Sequence, residues 1–326
     1  MRYDVFNGDA DGICALHQLR LHAPAQATLV TGVKREIELL RRVPDGADAD
    51  ITVLDVSLDS NAAELRRLLD GGARVTYFDH HSADCAFAHA ALDLHCDGAT
   101  DVCTSILVDR HLGGRYRPWA VAAAFGDNLD GPARRLAREL ALDDAAIAAL
   151  AQLGQVFNYN AYGECVADLH LDPAALYRSL EGYDHPFDFM ADSAAYRDLC
   201  AGYRDDCARL HELRPHWERG GSAVYLLPPT RWARRISGVL ANRLAAQPGG
   251  GSFAVLNERS DGDYLVSVRS GAPAALSACG FCQQFDSGGG RKAAAGINRL
   301  PAADLERFMA CFQDYFAVPM AAGDGR

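Results

Sequence analysis

Long apolar runs are missing from this 326-residue sequence, although 49% of its residues are hydrophobic. No continuous apolar stretch reaches the roughly 18 residues that a membrane helix needs. The N-terminus opens on Asp4, Asn7 and Asp9 instead of a basic and then apolar leader. We therefore expect a cytoplasmic protein with no membrane segment and no secretory signal. The length suits two domains, each of which can bury its own core.

Cysteine patterns typical of a disulfide scaffold or a zinc module are also missing. The ten cysteines are scattered along a large chain, which suits a reducing compartment. Cys279 and Cys282 form a single C-x-x-C pair, and no second pair completes a zinc site. We interpret both as thiols of a hydrophobic core.

An excess of positive charge is absent, since the net charge is −11. This balance argues against binding along long duplex nucleic acid, which relies on many phosphate contacts from Lys and Arg. The charge is unevenly distributed along the sequence, because the segment from Arg219 to Leu300 contains ten basic residues and only four acidic ones. An acidic N-terminal part suits metal cations and a basic C-terminal part suits a small anion, although solvated helix faces would give the same asymmetry.

One short segment carries the strongest functional signal. Val75–Phe78 is rich in β-prone residues and ends abruptly in Asp79, His80 and His81. In an open α/β sheet, binding and catalytic groups collect at the carboxyl ends of the strands. A pair of histidines in a loop is often of no functional importance, so the interpretation depends on the neighbouring strands. Asp127, which also follows an apolar segment, is a further acidic candidate.

Two other predicted strands end in carboxylates in the same way. Tyr3–Phe6 runs into a turn that contains Asp9 and Asp11 beside flexible glycines, and Ile51–Leu54 ends at Asp55. A turn rich in Asp and Gly is common in surface loops. Carboxylates at three parallel strand ends, however, converge on one edge, where they can hold neighbouring cations. We expect a metal site at this edge.

The alternation of strands and helices predicts the fold class. Helices are expected at Glu36–Arg42 and at Ala62–Leu69, the latter with Asp59 or Ser60 as its N-cap. Short connections between strands and helices imply a parallel doubly wound sheet. A long helix over Asp192–Leu213 is expected to connect this domain to a second, smaller α/β domain.

A glycine run marks the second domain. Gly288, Gly289 and Gly290 are followed by Arg291 and Lys292. Three successive glycines leave backbone N–H groups available to converge on an anion, and the two cations add positive charge beside them. A flexible linker is the alternative, but the compact Ala-rich segment that follows favours anion binding.

Taken together, the motifs resemble a known superfamily. Asn7-Gly8-Asp9-Ala10-Asp11-Gly12, Asp55, Asp79-His80-His81 and Gly126-Asp127-Asn128 resemble, in order and spacing, the four motifs of the DHH phosphoesterases. Ser267–Ser270 together with Gly288–Arg291 is similar to their DHHA1 substrate-binding domain. The resemblance spans nearly the whole chain. Within the superfamily, the size and two-domain layout of the chain are most similar to those of the nano-RNase or oligoribonuclease-like branch.

The resemblance implies a domain layout and a metal centre. It implies a DHH catalytic, metal-binding domain over residues 1–190, a helical linker over 191–215 and a DHHA1 domain over 216–326. Two manganese ions, with magnesium as the alternative, would bind in the first domain. Asp9 would hold one ion, Asp11 the other and Asp55 both, while His80 and Asp127 would complete the second site. Asp55, His80 and His81 would be catalytic.

The resemblance also assigns substrate contacts. His81 would face the scissile phosphate and Asn7 would contribute beside it, while Arg269 and the Gly288–Arg291 segment would grip a terminal or second phosphate. Two positions depart from the family pattern. Many members have a metal-binding His four residues before the first Asp of the first motif, where this chain has Val5. Members also often have a His after the third glycine of the glycine run, where this chain has Arg291. The first change would leave the first metal site weaker, completed by water or helped by Asn7. The second keeps a cationic donor but could alter which phosphate group is accepted.

The implied function is a manganese-dependent phosphodiesterase that hydrolyses dinucleotides or short oligonucleotides to mononucleotides, through a water activated by two metal ions. A phosphatase of 3′-phosphoadenosine 5′-phosphate or polyphosphate and a cyclic-dinucleotide phosphodiesterase are the alternatives among enzymes. A nucleotide-binding regulatory protein is the alternative outside them, motivated by Val5 at a ligand position. A homodimer is compatible with each of these functions.

Overall fold

A computed structural model of the chain describes residues 1–46, 48–81 and 87–316. The chain divides into two compact units, Met1–Tyr203 and a second that begins at Arg204. Each unit has its own sheet and its own hydrophobic core. The assignment of metal binding to residues 1–190 and of substrate binding to residues 216–326 stays a prediction.

The described part of the first unit contains a five-stranded parallel sheet. Its strands are β1 (Arg2–Phe6), β2 (Thr28–Val30), β3 (Asp50–Leu54), β4 (Arg74–Asp79) and β5 (Leu92–Cys96). Their order is β2-β1-β3-β4-β5, and every neighbouring pair is parallel. All the carboxyl ends therefore lie along one edge, which confirms the predicted fold class.

Helices lie on both faces of this sheet and share its hydrophobic clusters. The helices that begin in the first unit are α1 (Ala10–His22), α2 (Leu58–Asp70), α3 (Thr104–His111), α4 (Arg117–Gly126), α5 (Asp130–Glu139), α6 (Asp144–Asn160), α7 (Pro173–Arg178), α8 (Pro186–Asp192) and α9 (Ala194–Ala208). Successive strand residues point to opposite faces. Phe6, Leu54 and Phe78 pack in the core with α1, α3 and α4, whereas their neighbours Val5 and Val53 pack in the core with α2.

The second unit is built on a mixed sheet. Its strands are β6 (Trp217–Arg219), β7 (Ser222–Leu227), β8 (Phe253–Glu258), β9 (Tyr264–Arg269), β10 (Gly288–Gly290) and β11 (Ala294–Leu300). Its helices are α10 (Arg231–Ala245), α11 (Ala278–Cys282) and α12 (Leu305–Phe316). The order is β10-β11-β9-β8-β7-β6, and β7 pairs in parallel with β8 through the crossover helix α10. Separate apolar clusters join the sheet to α10 and to α11 with α12.

The predicted helix Glu36–Arg42 is wrong, because only a 3-10 turn at Leu39–Arg42 forms there. The side chain of Asn61 in α2 explains this difference. It accepts a hydrogen bond from Leu40 N at 3.2 Å and donates one to Ile37 O at 2.6 Å. A tertiary contact thus takes backbone groups that a helix would use.

The predicted N-cap of α2 is also wrong. The cap is Ser57, whose Oγ accepts from Ser60 N, instead of Asp59 or Ser60. The helix begins earlier because Leu58 is buried and its N–H donates to Asp79 Oδ2 at 3.2 Å.

Three further elements differ from the prediction or were missed. The predicted helix Asp192–Leu213 is α9 followed by a 3-10 turn, Arg209–Glu212. The glycine run is the edge strand β10, and the edge strand β5 has no apolar run that would have indicated it. No helix among the described residues is long and apolar enough to cross a membrane.

Candidate metal centre

Asp9 caps the helix that follows the first strand. Its Oδ1 accepts hydrogen bonds from Asp11 N at 3.0 Å and Gly12 N at 3.2 Å, which satisfies two of the first N–H groups of α1. A Cβ at Gly12 would lie 2.2 Å from Asn7 O, so the turn requires glycine at this position. The turn rich in Asp and Gly is therefore a tight strand-to-helix connection with a buried carboxylate at its centre.

Asp11 joins α1 to a second helix. Its two oxygens accept from Thr104 N and Ser105 N, both at 2.7 Å, and Ser105 Oγ donates to Asp11 O at 2.8 Å. The N–H groups at the start of α3 thus hold the carboxylate, and the dipole of the helix favours its negative charge. Sequence reasoning missed Thr104 and Ser105, because nothing in the local sequence shows that α3 points its N-terminus at Asp11.

Asp55 follows β3 in a left-handed backbone conformation, with φ of 57°. Its N–H donates to Phe78 O on the neighbouring strand, and Thr104 Oγ1 lies 3.4 Å from its Oδ1. The side chain is almost fully buried. Such a conformation is uncommon outside glycine and recurs at functional sites.

The two histidines after β4 have different surroundings. His80 Nε2 lies 3.3 Å from Asp55 Oδ1, 3.6 Å from Asp127 Oδ2 and 3.9 Å from Asp11 Oδ2. His81 is more exposed, and its Nδ1 lies 2.6 Å from Oδ1 of the fully buried Asp79. Because Asp79 engages Nδ1, Nε2 of His81 is the nitrogen left for a metal ion or a substrate.

Asp127 is the C-cap residue of α4. Asn128 follows it with φ of 60°, and the N–H groups of Asn128 and Leu129 donate to Phe125 O and Ala124 O. These two bonds form a Schellman motif, which ends a helix through one left-handed residue. Gly126-Asp127-Asn128 is thus a helix stop that places a carboxylate at the site.

These residues form two overlapping groups that could hold a metal ion. One consists of Asp55, His80 and His81, and the other of Asp11, His80 and Asp127; within each group the ligand atoms lie within 4.8 Å of one another. Sequence reasoning placed all five residues at the site, and the structure brings them together. Asp9 belongs to neither group.

Charge repulsion and burial dominate the electrostatics. Burial, followed by the neighbouring carboxylates, raises the pKa of Asp11 and raises that of Asp55 well above its usual range. Desolvation would lower the pKa of His80, but Asp55, Asp11 and Asp127 outweigh it and raise that pKa to about 10. Buried carboxylates this close together favour a bound cation.

Lys34 is a cation at the site that sequence reasoning missed. Its Nζ forms an ion pair with Asp9 Oδ2 and lies 3.3 Å from Asp127 Oδ1 and 3.1 Å from Asn158 Oδ1. Lys34 follows the edge strand β2 by four residues. A charged residue shortly after the carboxyl end of a predicted strand is the signal that indicated Asp9, Asp55 and His80. The same signal, extended from carboxylates to cations, indicates Lys34.

The donor set fits a hard divalent cation. Carboxylates and imidazole suit Mn²⁺ or Mg²⁺ better than a thiolate-seeking ion. Burial raises the pKa of the nearby Cys14 and Cys103 thiols well above the usual range, so neither is a thiolate. Among the residues that the structure describes, no donor reaches the buried Oδ1 of Asn7, which leaves one more oxygen for a cation or its water.

The remaining predicted site residues belong to the second unit. Arg269 in β9 is opposite Ala294, and Arg291 N donates to Ala294 O, so the two arginines lie near each other in the sheet. Arg269 is held by Asn242 Oδ1, at 3.2 Å from Nε and 3.0 Å from Nη2. The interpretation of both as phosphate contacts stays a prediction.

Packing explains two of the three glycines before Arg291. A Cβ at Gly288 would lie 1.8 Å from Cys282 O, and one at Gly290 would lie 2.6 Å from Ala295 Cα, whereas Gly289 has open space. As an edge strand, β10 still presents part of its backbone N–H groups outward. Cys279 and Cys282 lie in α11, Cys282 in the core, and no described cysteine forms a disulfide.

Solved structures share this architecture. A manganese-bound exonuclease RecJ matches with a TM-score of 0.62 at 19% identity over 96% of this chain and 89% of that chain. RecJ from Thermus thermophilus with Mn²⁺ matches with a TM-score of 0.58 at 19% identity over 96% of this chain, which spans about half of that chain (52%). The pGpG-specific phosphodiesterase PggH from Vibrio cholerae matches with a TM-score of 0.57 at 13% identity over 95% and 97% of the two chains.

Comparison at the level of sequence adds no match. No protein-family model matches the chain, and no curated protein does. The structural matches show the fold, and they confirm the fold expected from the resemblance to the DHH and DHHA1 domains.

Proposed function

We propose that this chain is a metal-dependent phosphodiesterase that cleaves dinucleotides or very short oligonucleotides to mononucleotides. The observation that carries the proposal is the position of His80 between Asp11, Asp55 and Asp127 at the carboxyl edge of the sheet. It occurs in a chain that has the fold of a manganese-bound exonuclease.

The chemistry follows from the residues around this cluster. Asp11, Asp55, His80 and Asp127 would hold a divalent cation, which when bound acidifies water and stabilises charge that develops on a phosphate in the transition state. His81 Nε2 would face the scissile phosphate, with its ring oriented by Asp79. Thr104 and Ser105 would keep Asp11 in place through their N–H groups.

The proposed substrate rests on one of the solved structures. The chain covers 97% of PggH, a phosphodiesterase specific for pGpG, at a TM-score of 0.57. This comparison supports pGpG and other linear dinucleotides as the first substrates to test.

Asp55→Ala is the variant that tests the proposal. With Mn²⁺, the parent should release mononucleotides from a linear dinucleotide, and Asp55→Ala should lose about 10²-fold or more of kcat/KM, because a central charge at the site is removed. Asp144→Ala, which changes an exposed aspartate in the first turn of α6, is the matched control and should equal the parent. Product release measured by chromatography distinguishes these outcomes.

The substrate panel separates the alternatives. It contains pGpG, longer RNA and DNA, a cyclic dinucleotide, 3′-phosphoadenosine 5′-phosphate and polyphosphate, each with Mn²⁺ and with Mg²⁺. Preference for one of the last three would replace the proposed substrate and keep the hydrolase. If nothing is cleaved and Asp55→Ala behaves like the parent, the hydrolase proposal fails and a nucleotide-binding regulatory role takes its place.

A further inference from the structure

Lys34 is anchored at the metal centre through its backbone as well as its side chain. Its N–H donates to Ala161 O at 2.9 Å, and its carbonyl oxygen accepts from Asn7 Nδ2 at 3.2 Å. Its Nζ contacts Asp9 and lies 3.3 Å from Asp127 Oδ1 and 3.1 Å from Asn158 Oδ1. Three oxygen ligands on one ammonium group, from three separate segments, form a cation site that the chain itself fills.

Asp9 uses both of its oxygens within the chain. Oδ1 caps α1, and Oδ2 pairs with Lys34. Neither group of described residues that could hold a metal ion includes Asp9. Four residues earlier in β1 stands Val5, which is fully buried in the core and offers no ligand atom. The side of the centre around Asp9 is therefore complete without a metal ion.

The charge balance points the same way. Asp9, Asp11, Asp55 and Asp127 oppose the single ammonium of Lys34, and His80 must be neutral to bind a metal. One divalent ion would leave one net negative charge among these groups, whereas two ions would leave one net positive charge. A fixed lysine thus does part of the neutralisation that a second ion would otherwise do.

We propose that the ammonium of Lys34 occupies, on Asp9, the place of one of the two expected divalent ions, so that the centre consists of one metal ion and one lysine. The metal ion binds among Asp11, Asp55, His80 and Asp127. Lys34 then supplies a permanent positive charge that, unlike a metal ion, does not lower the pKa of a bound water, so that task would fall to the single ion. This inference rests on the proposed function and specifies its cofactor requirement.

The number of bound ions tests the proposal directly. Equilibrium dialysis of the full-length protein against Mn²⁺, followed by metal analysis, should give one ion per chain at saturation. The electron paramagnetic resonance spectrum should be that of an isolated Mn²⁺, without the spin coupling expected of two ions about 3.5–4 Å apart. Two coupled ions per chain, or none, would overturn the inference.

Lys34→Ala should create the second ion site. The variant removes the ammonium and leaves space beside Asp9, Asp127 and Asn158, so we expect two Mn²⁺ per chain. The sequence contains one other lysine, the exposed Lys292, and Lys292→Ala is the matched control that should keep one ion. A single ion in Lys34→Ala would contradict the assignment of Lys34 to a metal position.

A second pair of variants keeps the test decisive if Lys34→Ala does not fold. Asp9→Asn preserves the cap of α1, since Asn and Asp cap helices about equally well. It should leave Mn²⁺ affinity little changed. Asp55→Asn should weaken binding by more than the roughly 10–100-fold typical of losing an outer-shell partner. Equal losses in both variants would show that Asp9 holds the ion and would overturn the proposal.

Activity distinguishes this inference from the proposed function. One bound ion without cleavage of any phosphodiester or phosphate ester would leave the inference in place and remove the function. Cleavage of a dinucleotide by a protein with two bound ions would support the proposed function and contradict the inference about Lys34.

Discussion

Single side chains at the metal centre each do two tasks. Asp79 orients His81 through Oδ1 and receives the first N–H of α2 on Oδ2. Asp11 lies 3.9 Å from His80 Nε2, and it also accepts a hydrogen bond from Thr104 N, which joins α1 to α3. A residue that both shapes the fold and faces the reaction cannot be replaced for one task alone. Asp→Asn changes, such as Asp9→Asn and Asp55→Asn, therefore separate the charge of a carboxylate from its size better than changes to Ala do.

His17 is a buried histidine away from this centre. Desolvation lowers its pKa to about 4, and its contacts with Tyr183 O and Asp184 only partly oppose that change. Its Nε2 lies 2.9 Å from Tyr183 O, and its ring packs edge-on against Trp119. Between pH 6.5 and 4 the unfolded chain takes up a proton at His17 that the folded chain does not. Folding stability is therefore lost as the pH falls through this window.

His17→Gln should reduce this acid sensitivity. The parent should lose about 2 kcal/mol more unfolding free energy than the variant between pH 7 and pH 5, because glutamine does not titrate. Urea denaturation of both proteins at the two pH values measures the difference. Equal losses in parent and variant would show that His17 is not the group responsible.

Three helices of the first unit approach each other through glycine. A Cβ at Gly154 in α6 would lie 2.0 Å from Ala122 O in α4, and one at Gly126 in α4 would lie 2.5 Å from Ala10 Cβ in α1. These helices bring Asn158, Asp127 and Asp11 to the metal centre. The spacing of the helix backbones thus controls the distances among the ligands.

Gly154→Ala should therefore affect both stability and activity. The added methyl group has no space, and overpacking of this kind costs about 1–3 kcal/mol of unfolding free energy. The displacement of α4 would also move Asp127 and weaken Mn²⁺ binding. Gly131→Ala in α5, where a Cβ would meet only Arg135 Nη1 at 3.7 Å, is the matched control.

Denaturation midpoints and Mn²⁺ titration of both glycine variants check this prediction. The control should be at least as stable as the parent, because alanine favours helix more than glycine does. Equal stability of Gly154→Ala and Gly131→Ala would mean that α4 and α6 can move apart without loss of unfolding free energy, which would contradict the prediction.

At the scale of the whole molecule, the two units differ in charge and chemistry. The first presents clustered carboxylates at the edge of a parallel sheet, and the second has arginines around an antiparallel sheet edge. We expect the first to bind the metal ion and the second to contribute affinity for a phosphate. Kinetic constants can separate these contributions.

Arg291→Ala should raise KM by about 10-fold for a short oligonucleotide with a terminal phosphate, since one charge-assisted hydrogen bond is worth about 1.4 kcal/mol or more. It should leave kcat for a chromogenic diester without a terminal phosphate unchanged. Arg219→Ala, at the exposed end of β6, is the control. Equal effects of Arg291→Ala on both substrates would contradict a phosphate-binding role.

Local sequence was sufficient for the parts that depend on neighbours along the chain. The β-prone runs before Asp9, Asp55 and His80 predicted three strands, and parallel pairing then placed their ends at one edge. The helical crossovers predicted a doubly wound sheet. Most of the first unit's sheet and the main carboxylates of the centre were therefore predictable from the order of residues along the chain.

Tertiary structure decided what depends on contacts between distant segments. Lys34 contacts Asp9, which is 25 residues away in the sequence, and Asn158, which is 124 residues away. The N–H of Thr104 at the start of α3 donates to Asp11, which is 93 residues away. Local sequence patterns do not indicate such pairs, because each of these residues is compatible with many surroundings in its own segment. Only the folded chain brings the two residues of each pair together. The sequence by itself determined which edge of the sheet carries the carboxylates. Only the fold determined that a lysine already neutralises one of them.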